Sequence, residues 1–412
     1  MNLKVYGRSG SPPAHALRDF LHRSDVPFDS IELRRDEDAR ALGLDGLSDR
    51  RLPLVIFSDG ARLENPTIRQ VIEKLGWFRD PSLSEYDLAI YGAGPAGLSA
   101  AVYAASEGLK TIVVERWAIG GQASSSPKIE NYLGFPKGIS GAELAERARE
   151  QACRFGAEIL VAREGVRAEF TTGKRVGYLA DGTRIIARSA ICATGVDYYR
   201  LGVANEERFR GAGVYYGAGA SEAALCSNEH VVVVGGGNSA GQAAVHFAHV
   251  ARGVTMVVRG DDLARTISAY LADRIAAEPH INVRTNTEVA ALDGDHYLRS
   301  VTLRNRRTQA TETIAARWLF VCIGGAPRTE WAEAAGVLCD EAGYLVTGPD
   351  VLREGRPPEG WPLTRIPYHL ETNVPGLFAA GDVRHGSVKR CASAVGEGAM
   401  AVTFVHRYLV QG

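Results

Sequence analysis

Two glycine-rich turns carry the residues whose types and spacing best suit chemistry: Gly92-Ala93-Gly94-Pro95-Ala96-Gly97 and Gly235-Gly236-Gly237-Asn238-Ser239-Ala240. An apolar run over 88–91 enters the first turn, and small residues through Ala105 leave it. A second apolar run, Thr111–Val114, then ends on Glu115. That order reads as a βαβ unit that holds a dinucleotide. Gly92 allows the tight turn, Gly94 lets the backbone approach a pyrophosphate, and Gly97 lets helix and strand close together. The helix start offers unpaired N–H groups and the positive end of its dipole to phosphate. Glu115 stands 23 positions after Gly92, where a carboxylate can accept hydrogen bonds from ribose hydroxyls.

The second turn follows the run His230–Val234 and opens a helix through Val250, with a strand expected over 254–258. The same spacing falls on Val258, not on an acid, with Arg259 beside it and Arg265 further on. An apolar strand end with nearby guanidinium groups suits a ribose 2′-phosphate, which a carboxylate would repel. NADPH is therefore preferred, with NADH left open. Two nucleotide units in one chain suggest electron transfer between two dinucleotides. The six cysteines form neither a CxxC, a zinc pattern nor a secreted disulfide framework, so a cytoplasmic, reducing location is expected. No histidine has a catalytic partner in the sequence.

These turns need strands and helices to hold them. A chain of 412 residues is too long for one core. Hydrophobic content of 45% and charged content of 23% are those of an ordinary soluble protein. A net charge of −1 argues against nucleic acid or an anionic membrane as partner, and no apolar run approaches the ~20 residues of a membrane helix. The expected fold class is α/β, with two Rossmann-like dinucleotide-binding domains behind a small N-terminal domain.

From residue 86 onward the motifs resemble the low-molecular-weight thioredoxin reductases. GAGPAG with Glu115 is followed by Gly120-Gly121-Gln122 and by Glu130-Asn131-Tyr132-Leu133-Gly134-Phe135-Pro136. Further on come Ala193-Thr194-Gly195, then a run ending in Gly381-Asp382, then Lys389-Arg390-Cys391. The resemblance implies that FAD occupies the first unit. Its contacts would be Gly92, Gly94, Pro95, Ala96, Gly97, Glu115, Arg116, Gly121, Gln122, Asn131, Thr194, Gly195, Gly381, Asp382, Lys389, Arg390 and Cys391. NADPH would meet Gly235, Gly237, Asn238, Ser239, Arg259, Arg265 and Gly324. A homodimer is implied too. The same resemblance implies boundaries at 1–78, 86–202, 203–324 and 325–412, the second and fourth forming one domain around the third. Residues 1–78 resemble a glutaredoxin-like thioredoxin fold, but Ser11-Pro12-Pro13-Ala14 stands where such domains carry a thiol pair, so this domain is expected to dock or to support.

The chain departs from the reductase pattern at its redox centre. Gly217 and Ala220 occupy the two cysteine positions, and the disulfide chemistry needs both thiols. The expected reaction is hydride transfer from NADPH to FAD, then delivery to an unidentified small-molecule or protein acceptor. Ferredoxin, quinone, free flavin or oxygen would need no thiol. A disulfide acceptor would use a partner's cysteines, or Cys226 and Cys391. A third reading is a flavin-based redox sensor.

Overall fold

The computed structural model describes residues 3–8, 10–217 and 219–411. They form two compact units. One comprises Met1–Val71, Ser125–Ile129 and Tyr198–Gly324, and the other Ile72–Ser124, Glu130–Asp197 and Gly325–Gly412. Among the described residues no helix is long and apolar enough to cross a membrane.

The chain begins with β1 (Leu3–Arg8), α1 (Pro12–Arg23), β2 (Phe28–Leu33), α2 (Asp36–Arg40), β3 (Leu54–Ile56), β4 (Arg62–Glu64) and α3 (Ile68–Lys74). Its sheet runs β2-β1-β3-β4, with β1 parallel to β2 and antiparallel to β3. Ser11 caps α1, its Oγ accepting from Ala14 N at 3.4 Å, and Pro12 sits where a missing N–H breaks no helical bond. The short α2 and β4 carry too few residues for their periodicity to be read.

Next come β5 (Tyr86–Tyr91), α4 (Pro95–Ser106), β6 (Thr111–Val114), α5 (Gly141–Arg154), β7 (Glu158–Leu160), β8 (Gly165–Thr171), β9 (Lys174–Leu179) and β10 (Arg184–Cys192). After β11 (Asp197–Tyr198), the first unit resumes with α6 (Glu206–Phe209), β12 (Val214–Tyr216), β13 (His230–Val234), α7 (Asn238–Ala248), β14 (Gly253–Val257), α8 (Ala269–Ala277) and β15 (Ile281–Arg284). It ends with β16 (Thr287–Gly294), β17 (Leu298–Asn305), β18 (Thr311–Ala315) and β19 (Trp318–Val321). The second unit closes with β20 (Gly325–Ala326), α9 (Glu330–Ala334), β21 (Leu377–Ala379) and α10 (Cys391–Gln411).

In the second unit the sheet runs β7-β6-β5-β10-β9-β8, with β21 beside β10. Its strands β7, β6, β5 and β10 are parallel, and β6, most of β5 and the end of β10 are buried, as a sheet covered by helices requires. Helix α10 packs on α4 so closely that a Cβ on Gly398 would stand 2.1 Å from Ala96 O. The long segment before β21 is tied down by Arg365, whose Nη1 and Nη2 donate to the buried Glu371 carboxylate at 2.6 and 3.0 Å. Glu371 also accepts from Tyr368 N and Gly376 N, so this segment is ordered structure around one acid.

In the first unit the parallel sheet β12-β19-β13-β14-β15 stands beside an antiparallel sheet β16-β17-β18. Helix α1 packs against a 3-10 turn over Ala220–Cys226. Glu222 of that turn is fully buried. It accepts from Arg18 Nε at 3.3 Å and Nη2 at 3.0 Å, and pairs with His15 Nδ1 at 2.7 Å. Burial alone would raise the Glu222 carboxyl, but Arg18 and His15 outweigh it and hold the group down at about 2.

Two measurements test these anchors. A carboxyl held below its ordinary 4.5 stabilises the fold above that pH. That contribution, roughly 3 kcal/mol, should be lost as pH falls from 4.5 toward 2. Urea unfolding of the first unit across this range should show a shallower slope in Glu222→Gln than in the unaltered protein, the remainder coming from other carboxylates held low, such as Asp49 and Asp295; an unchanged slope in the variant would refute the assignment. Replacing Arg365 by Met leaves Glu371 buried without its cation, and the second unit should lose about 3 kcal/mol in the same assay.

Candidate functional site

The two glycine turns are held by the same bonds. Gly92 N donates to Val114 O at 2.8 Å, and Ala193 N, just past β10, donates back to Tyr91 O at 2.7 Å. In the other unit Gly235 N donates to Val257 O at 3.0 Å, and Cys322 N, just past β19, donates to Val234 O at 2.7 Å. Each first glycine thus lies against the end of a neighbouring parallel strand. A Cβ on Gly92 would stand 2.3 Å from Ala193 O, and one on Gly235 would stand 2.2 Å from Cys322 O. Both adopt a positive φ, +104° and +144°, so glycine is required twice over at these positions.

The middle glycines face open space. A Cβ on Gly94 would meet only Gly121 Cα, at 3.9 Å, and one on Gly237 would meet nothing within 4 Å. Gly94 caps α4 and Gly237 caps α7 with no side-chain cap. The first helical bonds there are Leu98 N to Gly94 O and Gly241 N to Gly237 O. Ahead of them the amides of Ala96 and Gly97, and of Ser239 and Ala240, point out of the helix starts, behind Pro95 in the first case. Each turn is a concave backbone surface lined with donors, which fits a pyrophosphate.

Around the first cradle the structure brings together Glu115, Asp382 and the Gly120-Gly121 turn. Glu115 is buried. Its Oε2 accepts from Ala93 N at 2.7 Å and its Oε1 from Trp117 N at 2.8 Å, which fixes an acceptor at the end of β6. Gly381 packs on the α4 start, where its Cβ would lie 2.9 Å from Ala96 Cβ. Among the described residues none donates to the Asp382 carboxylate, and burial raises its pKa. An acceptor short of donors beside the cradle fits a polyol hydroxyl. Gln122 donates to Val196 O, Arg116 pairs with Asp197, and Thr194 Oγ1 lies 3.5 Å from Cys192 Sγ. A Cβ on Gly195 would meet nothing within 4 Å. Lys389 Nζ donates to Asp382 O at 2.8 Å, whereas Asn131 and Arg390 are exposed. Sequence reasoning misses Glu397, which accepts from Gly381 N at 2.7 Å and from Arg384 at 2.6 Å; a lone acid between two glycines of a helix is its only signal.

Around the second cradle Arg259 and Arg265 are exposed on the loop after β14. Asn238 has both amide atoms bonded to Ser268, each at 2.8 Å, so its side chain braces the loop before α8. Ser239 and Gly324 are exposed.

The cysteine positions of the resemblance are filled differently. Gly217 has φ +95°, and a Cβ there would stand 2.7 Å from Tyr198 Oη and 3.4 Å from Ser125 Oγ. No cysteine fits without displacing Tyr198. The Ala220 side chain and Ala218 lie outside the described residues. At five of the thiols burial disfavours the thiolate. Burial pushes Cys322 up to about 12 and Cys391 up to about 11, and raises Cys192, Cys226 and Cys339. Cys226 Sγ donates to Glu222 O at 3.3 Å, and Cys322 Sγ to Gly217 O at 3.3 Å. Among the described residues no group of acids, histidines and cysteines could hold a metal.

Residues 86–398 match the model of the pyridine nucleotide-disulphide oxidoreductase family. The thioredoxin reductase of Treponema pallidum is 37% identical over 329 residues, covering 79% of this chain and 98% of that protein. The 34.2 kDa protein in the rubredoxin operon of Clostridium pasteurianum is 31% identical, over 79% of this chain and 97% of that protein. Among solved structures, the thioredoxin reductases of Lactococcus lactis and T. acidophilum superpose with TM-scores of 0.71 at 30% identity. They cover 79% and 80% of this chain and all of each of those chains. The chain belongs to the pyridine nucleotide-disulphide oxidoreductase family, as a thioredoxin-reductase-like enzyme whose cofactors are FAD and NADPH.

Proposed function

We propose that this chain is an NADPH-dependent flavoprotein reductase whose acceptor is a disulfide carried by a partner protein. The likeness to thioredoxin reductases along nearly their whole length is the observation that carries this reading. Bound FAD would take hydride from NADPH and release the electron pair to the acceptor. The open surface of Gly94 and the amides of Ala96 and Gly97 would hold the FAD pyrophosphate. Glu115 would accept from its ribose and Asp382 from its ribityl chain. Gly237 and the amides of Ser239 and Ala240 would hold NADPH, with Arg259 and Arg265 at its 2′-phosphate. The disulfide would gain two electrons and two protons, NADPH supplying the electron pair with one proton as hydride and solvent the other proton, and leave as two thiols. No thiol of this chain need take part, because the exclusion of a side chain at Gly217 and the raised pKa values of Cys226 and Cys391 both speak against a relay. The same reading takes residues 1–78 as a thioredoxin-fold domain without redox cysteines, 86–202 with 325–412 as the FAD domain, and 203–324 as the NADPH domain, in a cytoplasmic homodimer.

A second reading is favoured by one observation: α1 covers the turn at Ala220–Cys226, beside the place where the relatives' cysteine motif falls in this chain. An acceptor that needs no thiol exchange, such as a ferredoxin, a quinone, a free flavin or oxygen, would not require that turn.

Anaerobic mixing with NADPH, and separately NADH, should bleach the ~450 nm flavin band with NADPH faster. Oxidised thioredoxin should then reoxidise the flavin at a rate that Cys226→Ser and Cys391→Ser leave unchanged. Reoxidation by quinone or ferredoxin but not by disulfides would select the second reading, and a band unaffected by either nucleotide would refute the reductase and leave a sensor.

A further inference from the structure

The loop after β14 meets a hairpin that no sequence spacing connects to it. Val258 N donates to Arg284 O at 2.9 Å, and Thr287 N donates to Val258 O at 3.0 Å. Asn286 N donates to Gly260 O at 2.8 Å, and Arg306 N donates to Asn286 O at 2.7 Å. This ladder brings the turn between β17 and β18 alongside Arg259 and Gly260. The turn is itself tightly built: the Asn305 side chain accepts from Arg307 N and Thr308 N, both at 3.0 Å, and Gln309 N donates to Asn305 O at 2.8 Å. Arg306 and Arg307 are therefore presented from a stiff support, Arg306 standing 47 residues beyond Arg259 in sequence.

Both side chains turn toward the loop. Arg306 Nη1 donates to Arg259 O at 3.3 Å. Arg307 Nη2 lies 3.7 Å from Asp261 Oδ2, and Arg265 Nη1 lies 3.6 Å from Asp261 Oδ1. The other pairings are as loose: Arg265 Nε to Asp262 at 3.9 Å and Arg306 Nε to Glu288 at 3.6 Å. Glu288 is already engaged by Arg304 Nε at 3.0 Å. All four arginines are exposed, and exposed pairs at such distances hold their partners weakly. The guanidinium groups can exchange these carboxylates for a stronger anion.

We propose that Arg306 and Arg307 complete the binding site for the 2′-phosphate of NADPH, together with Arg259 and Arg265. This rests on the proposed NADPH reading of the second cradle. The site lies at the strand end where the ribose of a dinucleotide belongs. Its loop supplies only two arginines and also carries Asp261 and Asp262, which oppose a dianion. The hairpin pair restores the positive balance from a separate element. A phosphate can take bidentate hydrogen bonds from such planar groups.

The test is equilibrium binding of NADP⁺ and of NAD⁺ to the full-length, FAD-loaded protein, by calorimetry, for the unaltered chain, R307A and the double variant R306A/R307A. The unaltered chain should prefer NADP⁺. R307A should weaken NADP⁺ about tenfold and the double variant about a hundredfold, with NAD⁺ unchanged within about twofold. Salt should weaken NADP⁺ binding less steeply in the double variant. A preference for NADP⁺ that survives in the double variant, or an equal loss for both nucleotides, would overturn the role of the hairpin alone. Equal affinity of the unaltered chain for both nucleotides would overturn the NADPH reading, and the hairpin role with it.

Discussion

Both nucleotide cradles depend on one steric constraint, the contact of a glycine with the end of a neighbouring parallel strand. Gly92 against Ala193 and Gly235 against Cys322 leave no room for a Cβ, and the same pair of backbone bonds holds each turn. The contact sets where the helix after the turn begins, and so where its free amides point. It also ties the first strand of each βαβ unit to a strand far away in sequence, β10 in one case and β19 in the other. An alanine at either position would have to push the strand end away, and the donors would move with it.

Backbone features of this kind are legible in the sequence because few residue types can supply them. The runs Thr111–Val114 and His230–Val234 appear as strands with the expected limits, since buried parallel strands read as unbroken apolar stretches. Helix α7 stops at Ala248, short of the Val250 expected, because helix ends are set by local bonds that periodicity does not report. What is not legible lies where partners are distant in sequence. Glu222 does not stand out, because Arg18 and His15 are some 200 positions away. Arg306 and Arg307 read as two charges in a surface turn until the ladder through Asn286 places them. Asn238 is legible as a turn residue, but its attachment to Ser268 is not.

Around Gly217 the packing leaves little room for a side chain. Tyr198 and Ser125 occupy the space a side chain at Gly217 would need, the backbone there has a positive φ, and α1 packs on the following turn through the buried Glu222 cluster. A cysteine placed at Gly217 would meet all three. The thiols nearby, Cys226 and Cys322, are buried and bonded to carbonyl oxygens. A buried thiol of this kind behaves as a small apolar group.

Cofactor cradles and acceptor sites therefore differ in what changes they survive. The cradles consist of close backbone approaches, helix-start amides and two carboxylates, Glu115 and Asp382, so most side chains around them can vary without moving a donor. An acceptor site made of two thiols is lost with either one. The same contrast applies within the second cradle. Its turn follows from Gly235 and Gly237, whereas in the proposed reading discrimination between nucleotides falls to exposed arginines on loops. Charges at a surface can be supplied from any element that reaches the right place, since Coulomb attraction depends on distance and not on chain order. The arginines after β14 do not stand alone, since the turn between β17 and β18 places Arg306 and Arg307 beside the same loop.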